Sequence, residues 1–85
     1  MPSNTSEAIV EAVLLRIVDE RKSSGMSQER LAELSGVDLG VISRAEHLHR
    51  IPGMASILDM AKALDLDLPT LLGSAIKNVE LNSGS

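Results

Sequence analysis

An all-α, compact five-helix domain is the fold this chain predicts, and three observations carry the prediction. Apolar residues recur at helical spacing along most of the sequence, with no stretch that alternates as a strand would. Serine, aspartate and glycine stand where helices of that spacing need caps and stops. The chain has 85 residues and no cysteine, so one small domain must fold on its apolar core alone.

The first helix is expected to start at Ser6, a good cap, with Glu7 in its first turn. Ile9, Val13 and Ile17, with Val10, Leu14 and Val18 beside them, give it an unusually wide apolar face. Arg21 and Lys22 suit its last turn, and Gly25 ends it. Ser27 caps helix two, where Leu31, Ala32 and Leu34 face inward and Ser35-Gly36 closes the helix. Asp38 caps helix three, which runs to about Glu46 and buries Val37, Ile42 and Ala45. Residues 47–53 form a loop ending in Ile51-Pro-Gly53. Helix four spans Met54 to Leu64, with Ile57, Leu58, Ala61 and Leu64 on one face. Asp67 caps helix five, Pro69 fits its first turn, and Leu68, Leu71, Leu72, Ala75, Ile76 and Val79 continue the pattern past Gly73. The division expected is a disordered tail over 1–5, the domain over 6–80 and a second tail over 81–85.

Composition narrows the possible functions. With no aromatic residue, single-stranded nucleic acid has no stacking platform. Without cysteine there is no thiolate metal site and no thiol chemistry. His47 and His49 are two apart, a poor spacing for two ligands on one helix, and no metal or other cofactor is expected. Ser43 and His47 are four apart, but that spacing is common by chance, and no nucleophilic or paired-carboxylate site can be argued; an enzyme is not expected. No apolar run approaches a membrane span and no signal peptide is visible, so a cytoplasmic protein is the expectation. The net charge of −4 argues mildly against nucleic acid, yet the stretch from Leu39 to Arg50 holds Arg44, His47, His49 and Arg50 against Glu46 alone.

The middle of the chain is the most informative part. Ala32 is small enough for a close helix crossing, Gly36 turns the chain four residues later, and Ile42 packs helix three back on helix two. That spacing is what a helix-turn-helix requires. Arg44 can make a bidentate contact to guanine or pair with Glu46 or Asp38. Leu39 can meet a thymine methyl or fold back on Val37. Gly40, weak in a helix, can allow close approach to DNA or be merely tolerated. Arg30 opposes its helix dipole unless a phosphate sits at that terminus; the alternative is a solvated side chain.

Gly25-Met-Ser-Gln28, Leu31-Ala32, Ser35-Gly36-Val37, Ile42-Ser43-Arg44, Glu46, Arg50-Ile-Pro52 and Leu58-x-x-Ala61-x-Ala63-Leu64 together resemble the Xre family of Cro-type and phage-repressor regulators. The resemblance covers about residues 9–72. It implies a lambda-repressor-like helical domain, operator double-stranded DNA as ligand, commonly a homodimer, and transcriptional control. It implies phosphate contacts for Gln28 and Arg50, and places Leu39, Gly40, Ser43, Arg44 and His47 facing the major groove or its edge. The chain departs from the family pattern at Glu20, where an apolar residue is usual, and at His47-Leu48, where a polar-Gly pair ends helix three. It departs again at Leu39-Gly40, where polar base readers are common, so DNA shape is expected to supply part of any specificity. An interaction module on the same fold, antitoxin-like and with a protein partner, is the alternative.

A dimer surface is expected on helix five, at Leu72, Ala75, Ile76 and Val79, because residues 73–80 are apolar and periodic beyond the usual family domain. The competing expectation is that this segment folds back over helix one of its own chain.

Overall fold

The computed structural model describes residues 5–83, and its elements are α1 (Thr5–Ser23), α2 (Gln28–Ser35), α3 (Leu39–Glu46), α4 (Met54–Ala63) and α5 (Leu68–Ser83). The predicted all-α fold is what forms; no strand occurs among the described residues. Helix α1 already includes Thr5, so Ser6 lies inside it and is not its cap. Residues 1–4 of the expected N-terminal tail lie outside the described residues. At the other end, nothing in Glu80-Leu-Asn breaks a helix, and α5 runs on to Ser83 instead of stopping at 80. Residues 84 and 85 of the expected tail are outside the described residues.

Three aspartate and serine caps work as their positions predict. The Arg30 N–H donates to Ser27 Oγ at 3.0 Å, the Gly40 N–H to Asp38 Oδ2 at 2.9 Å, and the Thr70 N–H to Asp67 Oδ2 at 3.2 Å. Gly36 ends α2 at φ 77°, and its N–H donates to the Ala32 carbonyl at 2.9 Å.

Helix α3 ends on a left-handed residue too, but here that residue is Leu48, at φ 57°. The Leu48 N–H reaches the Ala45 carbonyl at 3.0 Å and the His49 N–H reaches the Arg44 carbonyl at 2.9 Å, a Schellman closure. A leucine there carries a penalty of about 1–2 kcal/mol. Its half-buried side chain packs against the core and offsets it. At His47-Leu48 the helix thus stops in a Schellman closure with leucine in the left-handed position.

The core gathers Val13, Leu14 and Ile17 of α1, Leu31 of α2, Val37, Ile42 and Ala45 around α3, Ile57, Met60 and Leu64 from α4 and its end, and Leu71 and Ala75 of α5. Leu31 and Ala61 are wholly buried. Two expected core residues are outside it: Leu34 is 48% exposed and Leu58 is 42% exposed. Met60 occupies the α4 core position that periodicity alone left unclaimed.

Helix α5 packs along α1 of its own chain, the most extensive helix pairing in the fold. Ala75 is buried in that seam, while Leu72, Ile76 and Val79 stay half-buried on its flank. The fold-back therefore takes Ala75 away from any outward-facing patch on α5. No helix among the described residues is long and apolar enough to cross a membrane.

Candidate nucleic-acid interface

Helix α3 divides cleanly by face. Ile42 and Ala45 are buried against the core. Leu39, Gly40, Ser43, Arg44 and His47 follow one another at spacings that keep them on the opposite side of a 3.6-residue turn. Leu39, Arg44 and His47 are exposed there, and Gly40 and Ser43 are half-exposed. Leu39, Gly40, Ser43 and Arg44 of α3 and its C-cap residue His47 therefore share one outward face.

Arg50 is exposed in the loop after α3 and, like Arg44, forms no ion pair among the described residues. Of the two carboxylate partners considered for Arg44, Glu46 is occupied elsewhere. Arg30 is exposed on α2 and pairs with Glu33 at 3.1 Å. Such an exposed pair is worth little and yields readily to a stronger anion.

Glu46 is held from within. Arg21 Nε donates to Glu46 Oε2 at 2.6 Å and Arg21 Nη2 donates to Oε1 at 2.8 Å, a bidentate fork on two side chains each only 10% exposed. The third guanidinium nitrogen donates to the Met26 carbonyl at 2.7 Å. Gln28 Nε2 completes the set, donating to Glu46 Oε1 at 2.9 Å. These four residues tie the end of α1, the turn after it, the start of α2 and the end of α3 into one brace. Burial pushes the Glu46 carboxyl up, but the hydrogen bonds from Arg21 and Gln28 and the charges of Arg21 and Lys22 outweigh it, and the net shift is downward.

Gln28 is thus first a bracing residue, with its amide turned toward the C-terminal end of α3. The sequence does not announce this brace, since Arg21 reads as a last-turn cation of helix one and Glu46 as a local partner of Arg44. A signal was there: Leu14, Ile17, Val18 and Arg21 continue one buried stripe at spacings of three, one and three. An acid in the last turn of α3 also opposes the helix dipole and asks for a partner.

The loop that follows carries two histidines with ring centroids 5.7 Å apart. His47 Nδ1 lies 2.9 Å from the Ser43 carbonyl, which can only accept, so Nδ1 is the donor in this contact. Among the described residues no three His, Asp or Glu side chains gather where they could hold a metal ion.

Comparison with known proteins agrees with this arrangement. A family model described as helix-turn-helix matches residues 17–71, from the middle of α1 into α5. This chain belongs to the Xre/Cro-type helix-turn-helix family. The chain is similar to an uncharacterized HTH-type transcriptional regulator, y4dL, of Sinorhizobium fredii. It is 40% identical over 68 residues, which cover 76% of this chain and 34% of the relative. The chain therefore spans about a third of the length of that relative. No solved structure matches it.

Proposed function

We propose that this chain is a sequence-specific DNA-binding transcriptional regulator, acting in the cytoplasm as a homodimer that inserts α3 into the major groove of operator DNA. One observation carries the reading: α3 of a helix-turn-helix chain and its C-cap turn Leu39, Gly40, Ser43, Arg44 and His47 outward while Ile42 and Ala45 anchor the helix. Arg44 is the base reader, with Leu39 against a thymine methyl. Arg50 and Arg30 hold phosphates, and Gln28 adds its remaining amide hydrogen at the start of α2. The sequence-dependent shape of the duplex contributes where direct readers are few.

Arg44→Ala is expected to weaken binding to a selected duplex more than binding to nonspecific duplex, by about 1–3 kcal/mol of discrimination. Arg50→Ala should weaken both alike, since a phosphate contact carries no sequence information. Fluorescence anisotropy on both duplexes measures the ratio. An unchanged ratio in Arg44→Ala removes the base-reading role.

Dimerisation supplies the second half-site that one short recognition helix needs. The α5 flank at Leu72, Ile76 and Val79 is the surface proposed, because these half-buried residues remain apolar and in register after Ala75 has been used in the core. Sedimentation at micromolar concentration is expected to show a dimer, and Ile76→Asp a monomer. A monomeric wild type would end the dimer proposal, and a dimer surviving Ile76→Asp would move the interface off α5.

A protein-docking module on the same fold is the second reading. It is favoured by Ile51, Met54 and Leu58, exposed by 47%, 66% and 42%, and by the net charge of −4. Duplex affinity that falls steeply with salt decides for the DNA reading, and negligible affinity at every salt concentration decides against it.

A further inference from the structure

The pairing of α1 with α5 leaves a hollow on its outer side, a cleft of about 510 Å³. Small molecules are held in clefts of ~300–1,000 Å³. Its floor is apolar: Leu71 and Ala75 of α5 are buried there, with Ala12 of α1 half-buried beside them. Leu15 forms part of the wall and is 48% exposed, so one large apolar side chain stays uncovered over that floor. Thr70, Ser74 and Asn78 follow at intervals of four along the α5 rim. The cleft lies clear of the surfaces already assigned. On α1, Leu14, Ile17 and Val18 meet Ile42 and Ala45 of α3, and Ala12, Leu15, Arg16 and Asp19 stand about half a turn round the helix from them. On α5, the rim stands about half a turn from Leu72, Ile76 and Val79.

Charge decides what fits. Three charged residues line the cleft: Arg16, Asp19 and Asp67. Arg16 is taken, donating to Glu20 at 3.2 Å. Asp67 is partly taken, its Oδ2 accepting both the N–H and the hydroxyl of Thr70 as the α5 cap. Asp19 forms no ion pair among the described residues. The uncommitted charge in the cleft is therefore a carboxylate, set beside an apolar floor. We propose that this cleft is a binding site for a small hydrophobic amine, with its apolar body on Leu15, Leu71 and Ala75 and its ammonium at Asp19. A solvent-facing ion pair is worth little, so the apolar body supplies most of the affinity and Asp19 selects the sign of the head group. An amine seated there bridges α1 and α5 and stabilises the fold by mass action. It leaves the outward face of α3 and the α5 flank open, so the site does not depend on DNA binding.

The test uses three probes that share one apolar body and differ in head group: phenylbutylamine, phenylbutanol and phenylbutanoate. Each is titrated into the full chain while amide shifts are followed by two-dimensional NMR. The amine is expected to saturate with a Kd on the order of 1 mM, moving amides of residues 12–19 and 70–78 and not those of α3. The carboxylate should bind at least about fivefold more weakly than the amine. Asp19→Asn should bring the amine and the alcohol within about twofold of each other. Ser74→Trp, a change at an exposed rim position, should fill the cleft and weaken the amine by at least about fivefold. Circular dichroism and thermal melting report that both variants fold, and Asp19→Asn carries the test if Ser74→Trp does not. Shifts that grow without saturation, or that map away from α1 and α5, overturn the proposal. So does a carboxylate that binds as tightly as the amine, an amine lead that survives Asp19→Asn, or full affinity in a folded Ser74→Trp.

Discussion

Glu46→Ala is expected to destabilise the fold by about 3–5 kcal/mol, the typical penalty for stranding one member of a buried ion pair. The variant leaves the Arg21 guanidinium buried, with the Met26 carbonyl as its remaining partner, and it releases Gln28. A domain of this size holds roughly 4–13 kcal/mol in total, so much of the stability is at stake. Urea denaturation followed by circular dichroism measures the loss, and an unchanged m-value keeps it attributable to the folded state. The paired change Arg21→Met with Glu46→Leu should recover most of it, because well-packed apolar groups replace such pairs at little net loss. A loss below about 1 kcal/mol in Glu46→Ala would place the pair among surface bridges.

The same carboxylate sets an acid limb. Its folded pKa lies below its ordinary 4.5, so its contribution is present above that value and is lost as pH falls through the folded pKa. The gap between wild type and Glu46→Gln should accordingly narrow below about pH 4.5 and stay constant toward neutrality.

Gly36→Val is expected to lower stability by at least about 2 kcal/mol, through backbone strain alone. Nothing lies within 4 Å of a Cβ built at Gly36, so crowding by neighbours is not the mechanism. The penalty comes from φ 77°, which a β-branched residue resists most. Gly36→Asn separates the two explanations, since asparagine tolerates the left-handed region and should lose much less. Thermal melting of both variants checks the ordering. Equal losses would mean that the turn between α2 and α3 dislikes any side chain.

The five helices were legible because their signals are local. Ser27, Asp38 and Asp67 cap the helices their positions predict, and Gly36 ends α2 at the predicted turn. The outward face of α3 was legible too, since it is the complement of Ile42 and Ala45 in a single short helix. What resisted was whatever depends on residues far apart. Arg21 and Glu46 are 25 positions apart, and neither predicts the other without knowing how α1 crosses α3. Leu34 and Leu58 sit at inward-looking spacings but at the rim of their helices, where a small core has no more room. Periodicity in α5 identified an apolar face without saying whether α1 or another copy covers it. Leu48 shows the limit of reading turns from glycine alone, because tertiary packing holds a leucine in the conformation that glycine takes for free.

The internal capture of Glu46 bears on how the molecule approaches a polyanion. Between Leu39 and Arg50 the one carboxylate is already neutralised by Arg21, which leaves the capping Asp38 as the acid nearest Arg44 and lets Arg50 project its charge from a stretch with no other free carboxylate. The remaining acids, among them Glu7, Glu11, Asp59, Asp65 and Glu80, lie on other segments of the chain. A body that is acidic overall but basic along one edge experiences a torque in the field of a negative rod: the wrong faces are repelled and the right edge is drawn in. Productive encounters then make up a larger share of collisions than random tumbling allows, and that advantage fades as ionic strength shortens the reach of the field.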